Sequence, residues 1–218
     1  MSTVPGLFCA GDASGASSHK FSSGSHAEGR IAAKAAIKFI VENNQMPVLE
    51  PAALEALKAE ILKPLATFEK FQAATTDPEI NPNYIKPRMF MFRLQKIMDE
   101  YAGGITAQFT TNEALLKKAL ELLAYLKEDA ASLAAANLHE LMRCWENTHR
   151  MWQAEAHVRT VLFREEDFRA DKPQIDEEKW HVFANCRFDP KTNTWETMAR
   201  PILHVFSPQP KEPAIARV

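Results

Sequence analysis

Cysteine is nearly absent from this chain. The three thiols, Cys9, Cys144 and Cys186, stand far apart with no CxxC among them. That spacing excludes a disulfide framework and the common zinc and iron–sulfur ligand sets, so no metal site is expected. A reducing, cytoplasmic compartment is the expected one. Glycine is also scarce, 7 in 218 residues, while Ala, Leu, Lys and Glu abound, which points to a helix-rich protein. No apolar run reaches the roughly 18 residues of a membrane span. No basic region followed by an apolar core opens the chain as a signal peptide would. Lys and Arg number 26 against 28 Asp and Glu. A surface so balanced gives no electrostatic reason to expect nucleic acid or a membrane as partner. With 46% apolar residues the chain can bury one or two small cores. It contains no internal repeat.

What is present reads as helices followed by a hairpin. Ser25 and Glu28 have the spacing of a capping box, and a helix is expected from there to about Glu42, ended by Asn43-Asn44. Pro51 suits the first turn of a second helix over 51–73, which Pro64 should kink or split. Residues 75–87, with Pro78, Pro82 and Pro87, read as a loop. A helix over 87–102 should stop at Gly103-Gly104. Thr110 and Glu113 form a second box, behind which Leu115, Ala119, Leu122 and Leu126 make one apolar stripe. A long helix over 137–165 carries Leu138, Leu141, Trp145, Thr148 and Trp152 on one face. Such helices with short connections argue for an antiparallel bundle of the three-helix type. Beyond them residues 180–188 alternate, with Trp180, Val182, Ala184, Cys186 and Phe188 on one side. A turn at 189–193 then lets Trp195–Leu203 return as a second strand. The C-terminal end, with Pro208, Pro210 and Pro213, should be poorly ordered. The fold class is therefore mainly α. Its divisions are a strand–loop–helix piece over 1–45, a helical bundle over 46–166, and a hairpin and tail over 167–218.

The first forty residues carry the chemistry. An apolar run over 4–10 reads as a strand ending at Gly11-Asp12, and a loop of small residues leads to a helix start. A flavin cofactor needs acceptors for its ribityl hydroxyls, and donors or a helix dipole near the edge that becomes anionic on reduction. Asp12 suits the first need. The backbone N–H groups around Ser23, Gly24, Ser25, His26 and Ala27 suit the second. Glycine at 11, 15 and 24 would let backbone approach a ligand closely. His19 and His26 flank the loop, and Lys20 is placed to offset negative charge. His139, His149 and His157 share one helix at spacings that build no metal site. A plain α/β turn is the competing reading of the Gly-Asp pair.

The stretch VPGLFCAGD at 4–12 resembles the late flavin-binding signature of the succinate dehydrogenase/fumarate reductase flavoprotein superfamily. His19 falls where that superfamily has a loop histidine. The superfamily's dicarboxylate users carry an Arg in Asn-Arg-Leu-Gly-Gly, whereas this chain has KFSSGS at 20–25, so succinate and fumarate are not the expected substrates. The version here closely resembles the alpha-subunit family of dissimilatory adenylylsulfate reductases. Further stretches agree: PRMFMFRLQKIMDEYAGG at 87–104, LHELMRCWEN at 138–147, AEAHVRTVLFREE at 154–166, FRADKP at 168–173 and DPKTNTWE at 189–196.

That resemblance implies FAD as cofactor, adenylylsulfate, sulfite and AMP as substrates and products, and a beta-subunit partner carrying two [4Fe-4S] clusters. It implies cofactor contacts from Gly11, Asp12, His19, Ser23, Gly24, Ser25, His26 and Ala27. It puts Lys20, His157 and Arg159 near substrate, since the superfamily has a Gly-Ala-His-x-Arg segment close to its active site. The catalytic residues and the GxGxxG fingerprint of the family are not in this chain, so it is expected to be the C-terminal part of a longer flavoprotein, inactive alone. A fragment of another flavoprotein of the superfamily, or a non-enzymatic helical interaction module, are the alternatives.

Overall fold

The computed structural model describes residues 1–2, 4–14, 21–44, 48–74, 82–164 and 179–202. These group into two compact units, Met1–Ala56 and Leu57–Val218.

In the first unit the apolar run over 4–10 is not the expected strand: Val4–Leu7 closes a turn, with Leu7 N donating to the Val4 carbonyl and Gly6 at φ +81°, and the rest, with Ala10 at φ −150° and ψ 157°, joins no ladder among the described residues. A strand exists only through its neighbour's hydrogen bonds, and an apolar pattern supplies no neighbour. Val4, Leu7 and Cys9 are accordingly exposed. The run rests on helix α1, Ser22–Glu42, through Phe8 against Phe39 at 6.1 Å between ring centroids. Between them Gly11–Ala13 forms a single 3-10 turn.

Helix α1 starts four residues earlier than the Ser25–Glu28 spacing suggests. Phe21 occupies the N-cap position without a side-chain cap, and the Ser25 N–H donates to its carbonyl. Glu28 therefore does not reach back to Ser25. Its carboxylate accepts from a residue outside the helix, as described below.

The second unit takes in most of α2, Pro51–Phe71, together with α3, Pro87–Tyr101, α4, Glu113–Asp129, and α5, Leu138–Phe163. Helix α2 runs unbroken through the buried Pro64. Pro64 cannot donate to the carbonyl of Glu60. The next carbonyl, Ile61, accepts from the Trp145 indole N–H at 3.0 Å, and Pro64's own carbonyl accepts from Ala135 N at 2.9 Å. The proline is thus absorbed where α2 meets α5 and the segment before it.

Asn112, not Thr110, caps α4, its side chain accepting from Leu115 N at 3.0 Å. Glu113 then falls in the first turn, where it pairs with Lys117. Thr110 turns its hydroxyl to the carbonyl of Ala107. Asn137 caps α5 in the same way, and Glu140 accepts from Ala136 N at 2.7 Å.

Gly103 ends α3 at φ +80°, which glycine adopts without steric cost. A Cβ on Gly104 would overlap the backbone of Asp99. The turn also depends on Gly104 N donating to Asp99 O and Gly104 O accepting from Phe109 N. Gly104→Ala is expected to destabilise the second unit by about 1–3 kcal/mol, the range for forced overpacking. Urea unfolding would show this, and an unchanged midpoint would refute it.

The core is the meeting of α3, α4 and α5. Phe90, Leu94 and Ile97 pack against Leu116, Ala119, Leu123 and Leu126, and against Leu141, Cys144, Met151 and Val158. On α4 the buried positions include Leu116 and Leu123, while Leu115 and Leu122 sit half-buried beside them. Both members of each leucine pair fit a 3.6-residue period, and packing chooses between them. On α5 the buried face is turned by about one position from the one expected. Cys144, Asn147 and Met151 point inward, while Leu138 and Trp152 are exposed. Tryptophan at an edge keeps its N–H partnered, as Trp145 does with Ile61. The buried Asn147 donates through Nδ2 to the Pro87 carbonyl at 2.7 Å, tying α5 to the first turn of α3.

The hairpin is β1, Val182–Asp189, and β2, Thr194–Pro201. They pair antiparallel in a register running from Val182 opposite Pro201 to Asp189 opposite Thr194. Asn193 takes φ +54° in the turn. Val182, Ala184 and Cys186 face inward, and the Cys186 thiol lies 3.7 Å from the Ala156 carbonyl of α5. Phe188 is more exposed than that alternation suggests and lies beside Trp195 and under Lys127.

Candidate functional site

The candidate site is built from the 3-10 turn and the start of α1. Gly11 is buried and has φ +66°, a conformation that carries a strong preference for glycine. A Cβ there would sit 3.4 Å from Ser25 Oγ and 3.6 Å from Ser25 Cβ, in ordinary contact with α1, so it is the positive φ and not lack of space that favours glycine. The Gly11 N–H donates to Glu28 Oε2 at 2.7 Å. Ser25 and Glu28 stand three residues apart on one face of α1, so one strip of helix both floors and holds the turn. The Gly11 carbonyl closes the turn by accepting from Ser14 N at 2.9 Å. Asp12, next in sequence, is exposed.

At the start of α1, Ser22, Ser23 and Gly24 precede the first intrahelical donor, Ser25. Their N–H groups point out of the helix end, where the partial positive charge of the macrodipole concentrates. Ser23 is exposed, Gly24 and Ser25 are half-buried, and His26 and Ala27 are exposed in the following turn. Ser25 acts differently from the sequence reading: its amide is spent inside the helix and its side chain lies against Gly11. The donors at this helix start are accordingly Ser22 to Gly24. Ser22 was not singled out from sequence, because the helix was expected to begin later. His19, Lys20 and Gly15 lie outside the described residues.

His157 and Arg159 belong to α5 in the second unit. His157 is exposed, while Arg159 is half-buried. The Arg159 guanidinium donates to Glu155 Oε1 through Nε at 3.0 Å and Nη2 at 2.8 Å, and lies over the Trp195 ring at 5.4 Å. Two residues apart on a helix, the pair presents two different faces. On the same helix His149 lies between Trp145 and Trp152, with ring centroids 6.1 and 5.2 Å away. Among the described residues no group of three His, Cys, Asp or Glu side chains is placed to hold a metal ion, and no helix is long and apolar enough to cross a membrane.

Two thiols differ sharply. Cys9 is exposed, and Cys144 is buried. Burial pushes the Cys144 thiol up to about 12, with the charge of Glu140 adding to the rise. A native pKa raised above that of the unfolded chain makes a contribution that is complete below the unfolded value and fades as pH climbs toward the native one. Stability is therefore expected to fall between about pH 9 and about pH 12 in part through Cys144. At pH 8 a thiol reagent should label Cys9 while native Cys144 stays unmodified, and mass spectrometry of peptides would read this. Prompt labelling of Cys144 in the folded protein would contradict its burial.

No family model matches the chain. It is 41% identical over 212 residues to the adenylylsulfate reductase subunit alpha of Megalodesulfovibrio gigas, a match covering 94% of this chain and 32% of that one. The adenylylsulfate reductase structure from Archaeoglobus fulgidus superposes with a TM-score of 0.84 at 47% identity, over 92% of this chain and 32% of that one. The chain is homologous to about a third of an adenylylsulfate reductase alpha subunit. A second structure of such a reductase, described as its complex with sulfite as a covalent adduct, gives the same TM-score, identity and coverage. A Mycobacterium smegmatis Sdh1 structure in complex with UQ1 shares the fold alone, with a TM-score of 0.65 at 22% identity over 91% of this chain and 33% of that one. The chain spans about a third of the length of the relatives it matches.

Proposed function

We propose that this chain forms one wall of the FAD site of an adenylylsulfate reductase, and that the complete enzyme interconverts adenylylsulfate with sulfite and AMP. The observation that carries the reading is the tight Gly11–Asp12 turn seated on α1 beside a helix start without a side-chain cap. The residues fit the cofactor. A carboxylate stands exposed at Asp12, Gly11 seats the turn on α1, and outward N–H groups are available at Ser22, Ser23 and Gly24. When bound, FAD supplies the redox chemistry that takes adenylylsulfate and two electrons to sulfite and AMP. Asp12 accepts hydrogen bonds from the ribityl hydroxyls. The amides at the start of α1 stabilise negative charge on the ring edge or the phosphates, as helix N-termini do for anions. Ser25, by filling the space under Gly11, keeps the turn close. His19, His26 and Ala27 complete the cofactor's surroundings, and Lys20, His157 and Arg159 are the candidates for contact with substrate.

The three divisions proposed are a flavin-binding piece over 1–45, a bundle over 46–166 and a hairpin with its tail over 167–218. The partner is a beta subunit holding [4Fe-4S] clusters that delivers or takes the electrons, and the compartment is the cytoplasm. The relatives support this reading, because one carries sulfite as a covalent adduct by its description. The test is the purified complete subunit with its partner. Bound flavin, bleached on adding sulfite, together with AMP-dependent sulfite oxidation, is the expected result. A subunit with flavin that turns over neither adenylylsulfate nor sulfite would sink the substrate assignment, and one that never binds flavin would sink the whole reading.

A further inference from the structure

We infer that Glu28 is a positioning residue for the flavin site, acting through the Gly11 N–H rather than by touching the cofactor. The inference rests on the flavin reading above and adds to it a residue that holds the site's two sides together. Those sides are the acceptor at Asp12 and the donor amides at the start of α1. Along the chain they are joined only through residues 13–21. Across space they are joined by the hydrogen bond from Gly11 N to Glu28 Oε2 at 2.7 Å, which is partly buried. A carboxylate accepting from a backbone N–H makes a charge-assisted bond, shorter and stronger than a neutral one. Gly11 has a left-handed φ and lies against Ser25, whose Oγ and Cβ would be 3.4 and 3.6 Å from a Cβ at that position. Glu28 follows Ser25 by three residues, so the bond and the packing contact act along one line of the helix. Because Asp12 directly follows Gly11, any slack at Gly11 moves the ribityl acceptor relative to the helix start.

The experiment compares Glu28→Ala, Glu28→Gln and Asp12→Ala in the complete subunit purified with its partner. Flavin per subunit, the dissociation constant on adding FAD back to stripped protein, and the position of the visible flavin bands are read. Glu28→Ala should weaken FAD binding about tenfold, the effect of losing one good hydrogen bond to a charged group, and should shift the bands. Glu28→Gln keeps an acceptor oxygen at the same reach, so it should restore the bands and most of the affinity. If Glu28→Ala does not fold, Glu28→Asp, too short to span to Gly11 N, should show the same loss. Wild-type flavin binding in Glu28→Ala, or equal losses in the Gln and Ala variants, overturns the inference. The Asp12→Ala arm separates the two claims. If it loses flavin while Glu28→Ala does not, only the positioning role fails. If it keeps flavin fully, Asp12 is not the ribityl acceptor, and the positioning role built on that acceptor fails with it.

Discussion

Phe90→Ala is expected to lower the stability of the second unit by about 3–5 kcal/mol, the range for deleting a buried aromatic ring. Phe90 is 0% exposed and sits in the first turn of α3. It belongs to the same buried cluster as Leu94 on its own helix, Leu116 of α4 and Val158 of α5. Those neighbours are held on three separate helices, so the space cannot close without moving a helix, and the cavity cost adds to the lost burial. Phe92 is the control. Two residues on and 46% exposed, it lies beneath Arg88 at 5.3 Å, and Phe92→Ala should change stability by no more than about 1 kcal/mol. Guanidinium unfolding monitored by helical circular dichroism reads both. Similar losses for the two variants would mean that the core is not centred where α3, α4 and α5 meet.

The second large effect concerns function. On the proposed function, Asp12→Ala in the complete subunit should weaken FAD retention by about 1–3 kcal/mol, or roughly fivefold to more than a hundredfold, because a ribityl hydroxyl would lose a charged acceptor. Asp189 provides the comparison. It also stands at a turn, where its carboxylate accepts from Lys191 N at 2.9 Å, but it lies in the hairpin. Asp189→Ala should leave flavin content as it is. Flavin absorbance per subunit after gel filtration reads both, and full occupancy in Asp12→Ala would remove Asp12 from the site.

The helices were legible because their signals are local. Pro51, Pro87, Gly103 and Asn43-Asn44 each act on their own few residues, and each marks an element end to within two positions. The hairpin was legible for the same reason, through alternation over 180–188 and a turn at 189–193. The N-terminal caps were less so. Ser25–Glu28 and Thr110–Glu113 satisfy the capping-box spacing, yet the helices begin at Ser22 and Glu113 with Phe21 and Asn112 in the cap positions. Spacing alone cannot choose between neighbouring polar residues when a tertiary contact competes for one partner. Here Gly11 takes the Glu28 carboxylate that the box would have used. The leucine pairs of α4 and the rotated face of α5 misled for a related reason, since periodicity gives a stripe its width but not its centre.

From its sequence this chain determined a helix-rich body, a terminal hairpin, and a Gly-Asp turn before a helix, since propensity, turn residues and motif act over a few neighbours. Tertiary structure alone decided that 4–10 opens with a turn and joins no described strand, that Pro64 stays within a continuous helix, and that Cys144 is buried while Cys9 is exposed. It also decided that Glu28 serves Gly11 instead of its own helix start. Each of these depends on which distant backbone group or side chain arrives to complete a hydrogen bond or fill a space, and that is fixed only when the helices pack.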